Sequence, residues 1–250
     1  MLGFAWSLAR PMFLLAIYYV VFDKILKAGI PYFAFYLFAG LLAWDLFGST
    51  LSAATVSIVG NAGLIKKVYF PREILPLASV GAGLFNFSLQ LIVLLVSLLG
   101  FQYDFFGPNL LLLLPALLTL VVFMTAWSLF LAAANVYLRD VQHLLEVFLL
   151  FWFWMNPIVY PIQLVLTHKE KFFGVKITTL YFFNPMVDIV INFQRAVYKQ
   201  VHVKGLTTLY TGTYGSYLVR LGWVFLLSLG MLWLAQRFFA RAQGNFAQEL

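Results

Sequence analysis

The chain has 250 residues, of which 63% are hydrophobic and only 10% charged; its net charge is +7 and its mean hydropathy +0.93. Water-soluble domains carry roughly 25% charged residues, so this composition places the chain in a bilayer and nearly excludes a catalytic domain outside it. With no cysteine there is no disulfide framework, thiolate metal site or cysteine nucleophile. The Lys and Arg lie singly or in pairs between apolar runs, which suits anionic head groups or an anionic cargo rather than nucleic acid.

In chain order, the first predicted span is 4–24, apolar apart from Arg10 and the Asp23-Lys24 pair at its end. No small-x-small cleavage site follows Phe22, so a retained helix is expected rather than a secretory leader. The second span, 31–58, contains one charge, Asp45. Between it and the third span, 74–100, the segment 61–70 fits a short amphipathic helix ended by Pro71. The fourth span is 110–136, in the uncharged stretch from Asp104 to Arg139. The fifth, 141–160, is dense in aromatics and should stop or kink at Asn156-Pro157 and Pro161.

From 161 to 216 the chain is irregular, and its apolar piece Ile177 to Val190 is interrupted by Asn184-Pro185. That piece is too short to span. It fits a re-entrant or interfacial helix, whose broken backbone needs cover from protein or a water-filled cavity. The last span is 217–239, with Arg220 and Arg237 able to snorkel to opposite interfaces. The expected fold is a single all-α polytopic membrane domain over 1–250 with six transmembrane helices, an amphipathic cytoplasmic helix and short re-entrant helices before the last span. Lys66, Lys67, Arg72 and Arg139 against Lys24 and Lys27 in the short loops favour both termini inside. The charges of 161–216 oppose this.

No GxxxxGK[ST] motif occurs, the three histidines share no metal-ligand spacing, and no hydrolytic triad suggests itself. The chain is therefore expected to be a non-enzyme with no cofactor or metal of its own. Ionisable groups inside a membrane mark function by default. Asp45 is the clear case; an Asp hydrogen-bonded within a helix bundle or facing water is the competing reading. Ser79, Gly83, Asn86, Gln90 and Ser97 fall on one face of the third span, facing another helix or a hydrated path. Deep aromatics such as Tyr18, Phe22, Tyr36, Trp44 and Trp152 could stack on sugar rings, with packing and interfacial belts as the alternative. The segment Gly60 to Pro76 is either a head-group anchor or a docking knob for a cytoplasmic partner.

At that segment, the run Leu64-Ile65-Lys66-Lys67-Val68-Tyr69-Phe70-Pro71-Arg72-Glu73-Ile74-Leu75-Pro76 resembles the permease subunits of type 2 ABC exporters that move O-antigen-like polysaccharides and teichoic acids. Tyr137-Leu138-Arg139-Asp140, Phe183-Asn184-Pro185-Met186 and Phe246-Ala247-Gln248-Glu249-Leu250 agree in order. The resemblance implies a homodimer in the bacterial inner membrane, paired with two ATP-binding cassette subunits that hold ATP and Mg. It implies that Asn61, Leu64, Lys66, Lys67, Tyr69 and Phe70 belong to a coupling helix seated on the ATPase. It also implies an aromatic channel for an undecaprenyl-pyrophosphate-linked glycan, onto which Arg10, Tyr18, Phe22, Tyr36, Trp44, Asp45, Asn86, Gln90 and Trp152 are carried as candidates. The family more often has an apolar or aromatic residue where this chain has Asp45. An exporter of drugs or lipids shares the architecture; an ion-coupled carrier would need more intramembrane carboxylates than Asp45.

Overall fold

The computed structural model describes residues 2–25, 30–68, 70–167, 171–172, 175–199, 202–203 and 206–249, with backbone alone at 2–8, 10, 171–172, 175–177, 202–203, 206–207 and 247. Among the described residues there are eleven α-helices: α1 Leu2–Tyr18, α2 Phe33–Gly60, α3 Ala62–Ile65, α4 Ile74–Gly100, α5 Leu113–Tyr137, α6 Val141–Trp154, α7 Gln163–Leu166, α8 Ile177–Tyr181, α9 Pro185–Val197, α10 Tyr214–Ala242 and α11 Phe246–Glu249. A π-helical stretch, Tyr19–Ile25, continues α1, and a 3-10 turn, Pro108–Leu112, leads into α5. Two antiparallel ladders of two residues per strand, Lys171–Phe172 with Val175–Lys176 and His202–Val203 with Leu206–Thr207, flank α8 and α9.

Among the described residues, four helical stretches are long and apolar enough to cross a membrane: Phe33–Gly60, Ile74–Gly100, Pro108–Tyr137 and Tyr214–Asn245. These stand where the sequence places its second, third, fourth and last spans. The expected fifth span is shorter than 141–160. Helix α6 ends at Trp154, two residues before Asn156-Pro157, because Pro157 cannot continue a helix and disfavours helical backbone at Asn156. The expected first span divides into α1, with Pro11 in its interior, and the π-helical continuation.

Helix α2 is the centre of the bundle, packed against α4, α5, α9 and α6. Lipid tails are as apolar as leucine, so helices in a bilayer associate by close packing and interhelical hydrogen bonds rather than by escape from water. Two glycines permit that approach here. A Cβ at Gly83 of α4 would run into Oγ1 of Thr50 on α2, and one at Gly40 of α2 would lie 2.9 Å from Nε2 of Gln194 on α9. Asn135 of α5 adds a hydrogen bond across to the Thr55 carbonyl of α2, 3.0 Å long.

Helix α9 is the unexpected element. The sequence reads Asn184-Pro185 as a break within an apolar piece, but the structure uses it as a start. The Asn184 side chain accepts the Met186 N–H at 3.1 Å and Pro185 opens the helix, an N-cap followed by proline at the first helical position. Nearly all of α9 is buried, including Asp188, Asn192 and Gln194. The non-helical backbone after α6 is covered by protein: Gln194 donates to the Pro157 carbonyl at 2.7 Å, and the Tyr36 hydroxyl lies 3.2 Å from the carbonyls of Pro157 and Tyr160. Such cover is what irregular backbone at membrane depth requires.

Candidate functional site

Two regions gather the residues singled out by sequence. The first is the end of the bundle formed by the α2–α4 connection and the chain terminus. The one-turn helix α3 is shorter than the expected 61–70 helix, and the chain leaves it through turns at Lys66 and Lys67. Ile65 is its buried anchor, packed with Ile58, Ala126, Leu129 and Phe239, while half-buried Phe70 lies against the same cluster. Leu64, Lys66, Lys67 and Val68 are left exposed on the other side. Tyr69 lies outside the described residues. Asn61 is exposed at the end of α2, and its amide donates to the Ser57 carbonyl at 2.8 Å.

This exposed turn is braced. The Arg72 guanidinium donates to the Gln243 carbonyl and sits over the Phe246 ring, and Tyr137 donates to the Ala242 carbonyl at 2.8 Å. Phe246, fully buried, packs edge-on against Phe239 and Tyr137. The connection between α2 and α4 is therefore tied by contacts to α5 and α10 as well as to the two helices it joins.

The second region is a cleft of about 210 Å3 between α1, α2 and α4, lined by Pro11, Tyr18, Phe38, Trp44, Asp45 and Gln90 with two leucines. Tyr18, Trp44, Asp45 and Gln90 come together here from three helices, as the sequence alone could not specify. Gln90 donates its amide to the Asp45 carboxylate at 2.6 Å, and the Asp45 side chain stays exposed. Trp44 is held by edge contacts from Trp152 and Phe153 and by the tilted ring of Phe47. The backbone of Arg10 precedes Pro11 in α1; its side chain lies outside the described residues.

The other candidates stand elsewhere. Tyr36 is fully buried in the contacts given above, and Trp152, 8% exposed, donates its indole N–H to Asn184 at 2.9 Å within a nest of Phe47, Phe123, Trp127 and Phe148. Neither lines the cleft; Trp152 backs it through its edge contact with Trp44. Phe22 packs between Tyr18 and Phe33. Asn86 is exposed on α4, one turn from Gln90.

Sequence reading missed an ion pair at the opposite end. Arg220 of α10 engages Asp188 of α9 through both oxygens, Nε to Oδ1 at 2.7 Å and Nη2 to Oδ2 at 3.3 Å, with its guanidinium 3.6 Å from the Phe182 ring. A snorkelling role hides such a partner, because the pairing crosses 32 residues and an irregular segment. Nearby, Lys199 pairs with Asp104, and its backbone N–H donates at 2.9 Å to the Tyr103 hydroxyl. Burial pushes the Tyr103 phenol above its ordinary range, the Lys199 N–H pulling it back in part. Among the described residues no group of three or more His, Cys, Asp or Glu could hold a metal.

Residues 1–169 match the profile of the ABC-2 type transporter family. The chain is also similar to the O-antigen export system permease protein RfbA of Myxococcus xanthus, with 31% identity over 79% of this chain and 74% of that protein. Two proteins of the same name from Klebsiella pneumoniae are 28% and 27% identical, over 78% and 77% of this chain and 72% and 71% of theirs.

Proposed function

From the premise that the chain belongs to the ABC-2 type transporter family, we propose that it is the permease subunit of an ATP-driven exporter of lipid-linked polysaccharide. It crosses a bacterial inner membrane with both termini in the cytoplasm. Two copies form the channel, and two separate ATP-binding cassette subunits bind ATP and Mg. Six crossings per copy follow if α1 with its π-helical continuation and α6 with the turn beyond it complete the four long spans. The cargo is an undecaprenyl-pyrophosphate-linked glycan. The identity of the relatives carries the cargo class, and the cleft that joins Tyr18 and Trp44 to hydrogen-bonding side chains supports it.

The observation that carries the mechanism is the braced turn after α2. A one-turn helix and the turn that follows it, with Leu64, Lys66, Lys67 and Val68 outward and Ile65 inward, form a small lever. Closure of the ATPase subunits on ATP moves that lever, and its anchoring to α2, α4, α5 and the chain terminus makes the movement a shift of several spans together. ATP thereby biases the permease between inward and outward arrangements, and the glycan advances along an aromatic wall whose broad faces tolerate sliding.

The test is the triple variant Leu64→Ala, Lys66→Ala, Lys67→Ala in the assembled transporter. The permease should still insert and be recovered folded, while copurification of the ATPase subunit or cargo-stimulated ATP hydrolysis falls at least tenfold. Unchanged copurification together with unchanged ATPase activity would remove the coupling role from this turn.

A further inference from the structure

The glycan-export reading leaves open which sugars the path accepts, and the cleft between α1, α2 and α4 bears on that. We infer that Tyr18, Trp44, Asp45 and Gln90 form a single-ring sugar subsite that takes neutral, hydroxyl-rich units and rejects anionic ones such as uronic acids. The inference rests on that reading and adds a selectivity to it.

Size comes first. At about 210 Å3 the cleft is smaller than the pockets that enclose drug-sized ligands, roughly 300 Å3 and upward, so it suits one ring of a polymer at a time. Shape and chemistry agree. Trp44 is half-buried and its orientation is fixed by Phe47, Trp152 and Phe153, so it offers an aromatic surface without an ordering cost on binding. An aromatic face complements the C–H face of a pyranose. Tyr18, on the facing helix, is likewise half-buried, with its ring tilted against Phe22.

The polar pair supplies direction. The Asp45 carboxylate accepts one hydrogen bond, from Gln90, yet two carboxylate oxygens offer about four acceptor sites. The remaining sites suit vicinal hydroxyls, which donate. Gln90 spends one of its two amide N–H groups on Asp45 and keeps its carbonyl oxygen as a second acceptor. The pair is thus richer in acceptors than donors and carries the Asp45 charge, and the Gln90 bond orients it in advance. Hydroxyl donors match it; a carboxylate or sulfate brings a second negative charge and no donor. Asp45 is exposed, but a ring seated in the cleft would bring its own charge well within a Debye length of the carboxylate, where like charges still repel. The pyrophosphate of a lipid-linked chain meets the site once, whereas a charge on the repeating unit meets it at every step. Discrimination therefore acts on the polymer rather than on its anchor.

The experiment uses the full transporter, permease and ATPase subunits together, in sealed vesicles with two undecaprenyl-pyrophosphate-linked probes of equal length, polymannose and polygalacturonate. The wild type should export polymannose at least tenfold faster, a difference of about 1.4 kcal/mol in barrier. Asp45→Asn should bring the two rates within threefold of each other, and Asp45→Glu, which keeps the charge, should preserve the tenfold preference. Because each ratio is taken within one variant, a loss of folded protein cancels from it. Robust polymannose export with an equal ratio in wild type and Asp45→Asn would overturn the subsite alone. Failure of the wild type to export either polymer while it moves a drug or lipid probe would overturn the export reading, and the subsite with it.

Discussion

Replacing Arg220 by Met should be among the most damaging single changes on α10. Its guanidinium meets both oxygens of Asp188, whose side chain is 8% exposed, and packs 3.6 Å from the Phe182 ring. At an effective dielectric near 20, charges about 3 Å apart attract by about 5 kcal/mol, most of it offset by what both groups lose on leaving water. Removing one partner exposes that offset, because Asp188 would remain buried without its counter-charge. Such losses run to about 3–5 kcal/mol, and the 29% exposure of the Arg220 side chain places this one near about 3. Loss of the guanidinium from the Phe182 face adds about 0.5–1 kcal/mol. A double-mutant cycle in detergent, with unfolding followed by tryptophan fluorescence in rising SDS, measures the effect. Arg220→Met and Asp188→Leu should each destabilise strongly, whereas the double variant should recover all but about 1–2 kcal/mol, giving a coupling of at least about 2 kcal/mol. Arg237→Met is the control, since that arginine is exposed on the same helix with its guanidinium over the Trp233 ring. If Arg220→Met costs no more than Arg237→Met, the pair does not hold α9 to α10.

Two further changes probe the packing and the outer end. Gly83→Ala should destabilise by about 1–3 kcal/mol, because its methyl meets Thr50, and Thr50→Ala should restore part of that loss in the double variant; equal unfolding midpoints for wild type and Gly83→Ala would mean that α2 and α4 do not approach as described. Tyr103 has its folded-state pKa raised by burial, so its contribution is fully present below the unfolded value near 10 and fades as pH rises from there through the folded value. Stability measured between pH 9 and 11 should fall, and Tyr103→Phe should flatten that fall.

The long spans were legible because apolar runs bounded by charge need no tertiary information. The third span, 74–100, coincides with α4, and the second differs from α2 by two residues at each end. Helix α9 was not legible from the same signal. It carries Asp188, Asn192, Gln194 and Arg195, so a count of apolar residues passes over it, yet it is buried with Asp188 paired to Arg220, the Gln194 amide on the Pro157 carbonyl and the Asn192 amide on the Asp188 carbonyl. The cap at Asn184-Pro185 was the signal available, and it reads equally as a break until the following helix is known. The cleft was half legible. Asp45 stood out as a charge within a span and Gln90 as a polar residue on the inward face of α4, but the hydrogen bond between them crosses 45 residues and depends on the register of two helices. Tyr36 and Trp152 show the limit for aromatics. Composition marks them as deep, and only the surrounding backbone shows that each serves a buried carbonyl or amide.

The most direct measurement reconstitutes the permease with its ATP-binding subunits in sealed vesicles and follows an undecaprenyl-pyrophosphate-linked polymannose from the ATP side to the opposite face. ATP-dependent appearance of the glycan, abolished when hydrolysis is blocked and absent from vesicles lacking the permease, is the expected result. Glycan that stays on the ATP side while ATP is hydrolysed and a drug or lipid probe crosses would contradict polysaccharide export as the function of this chain.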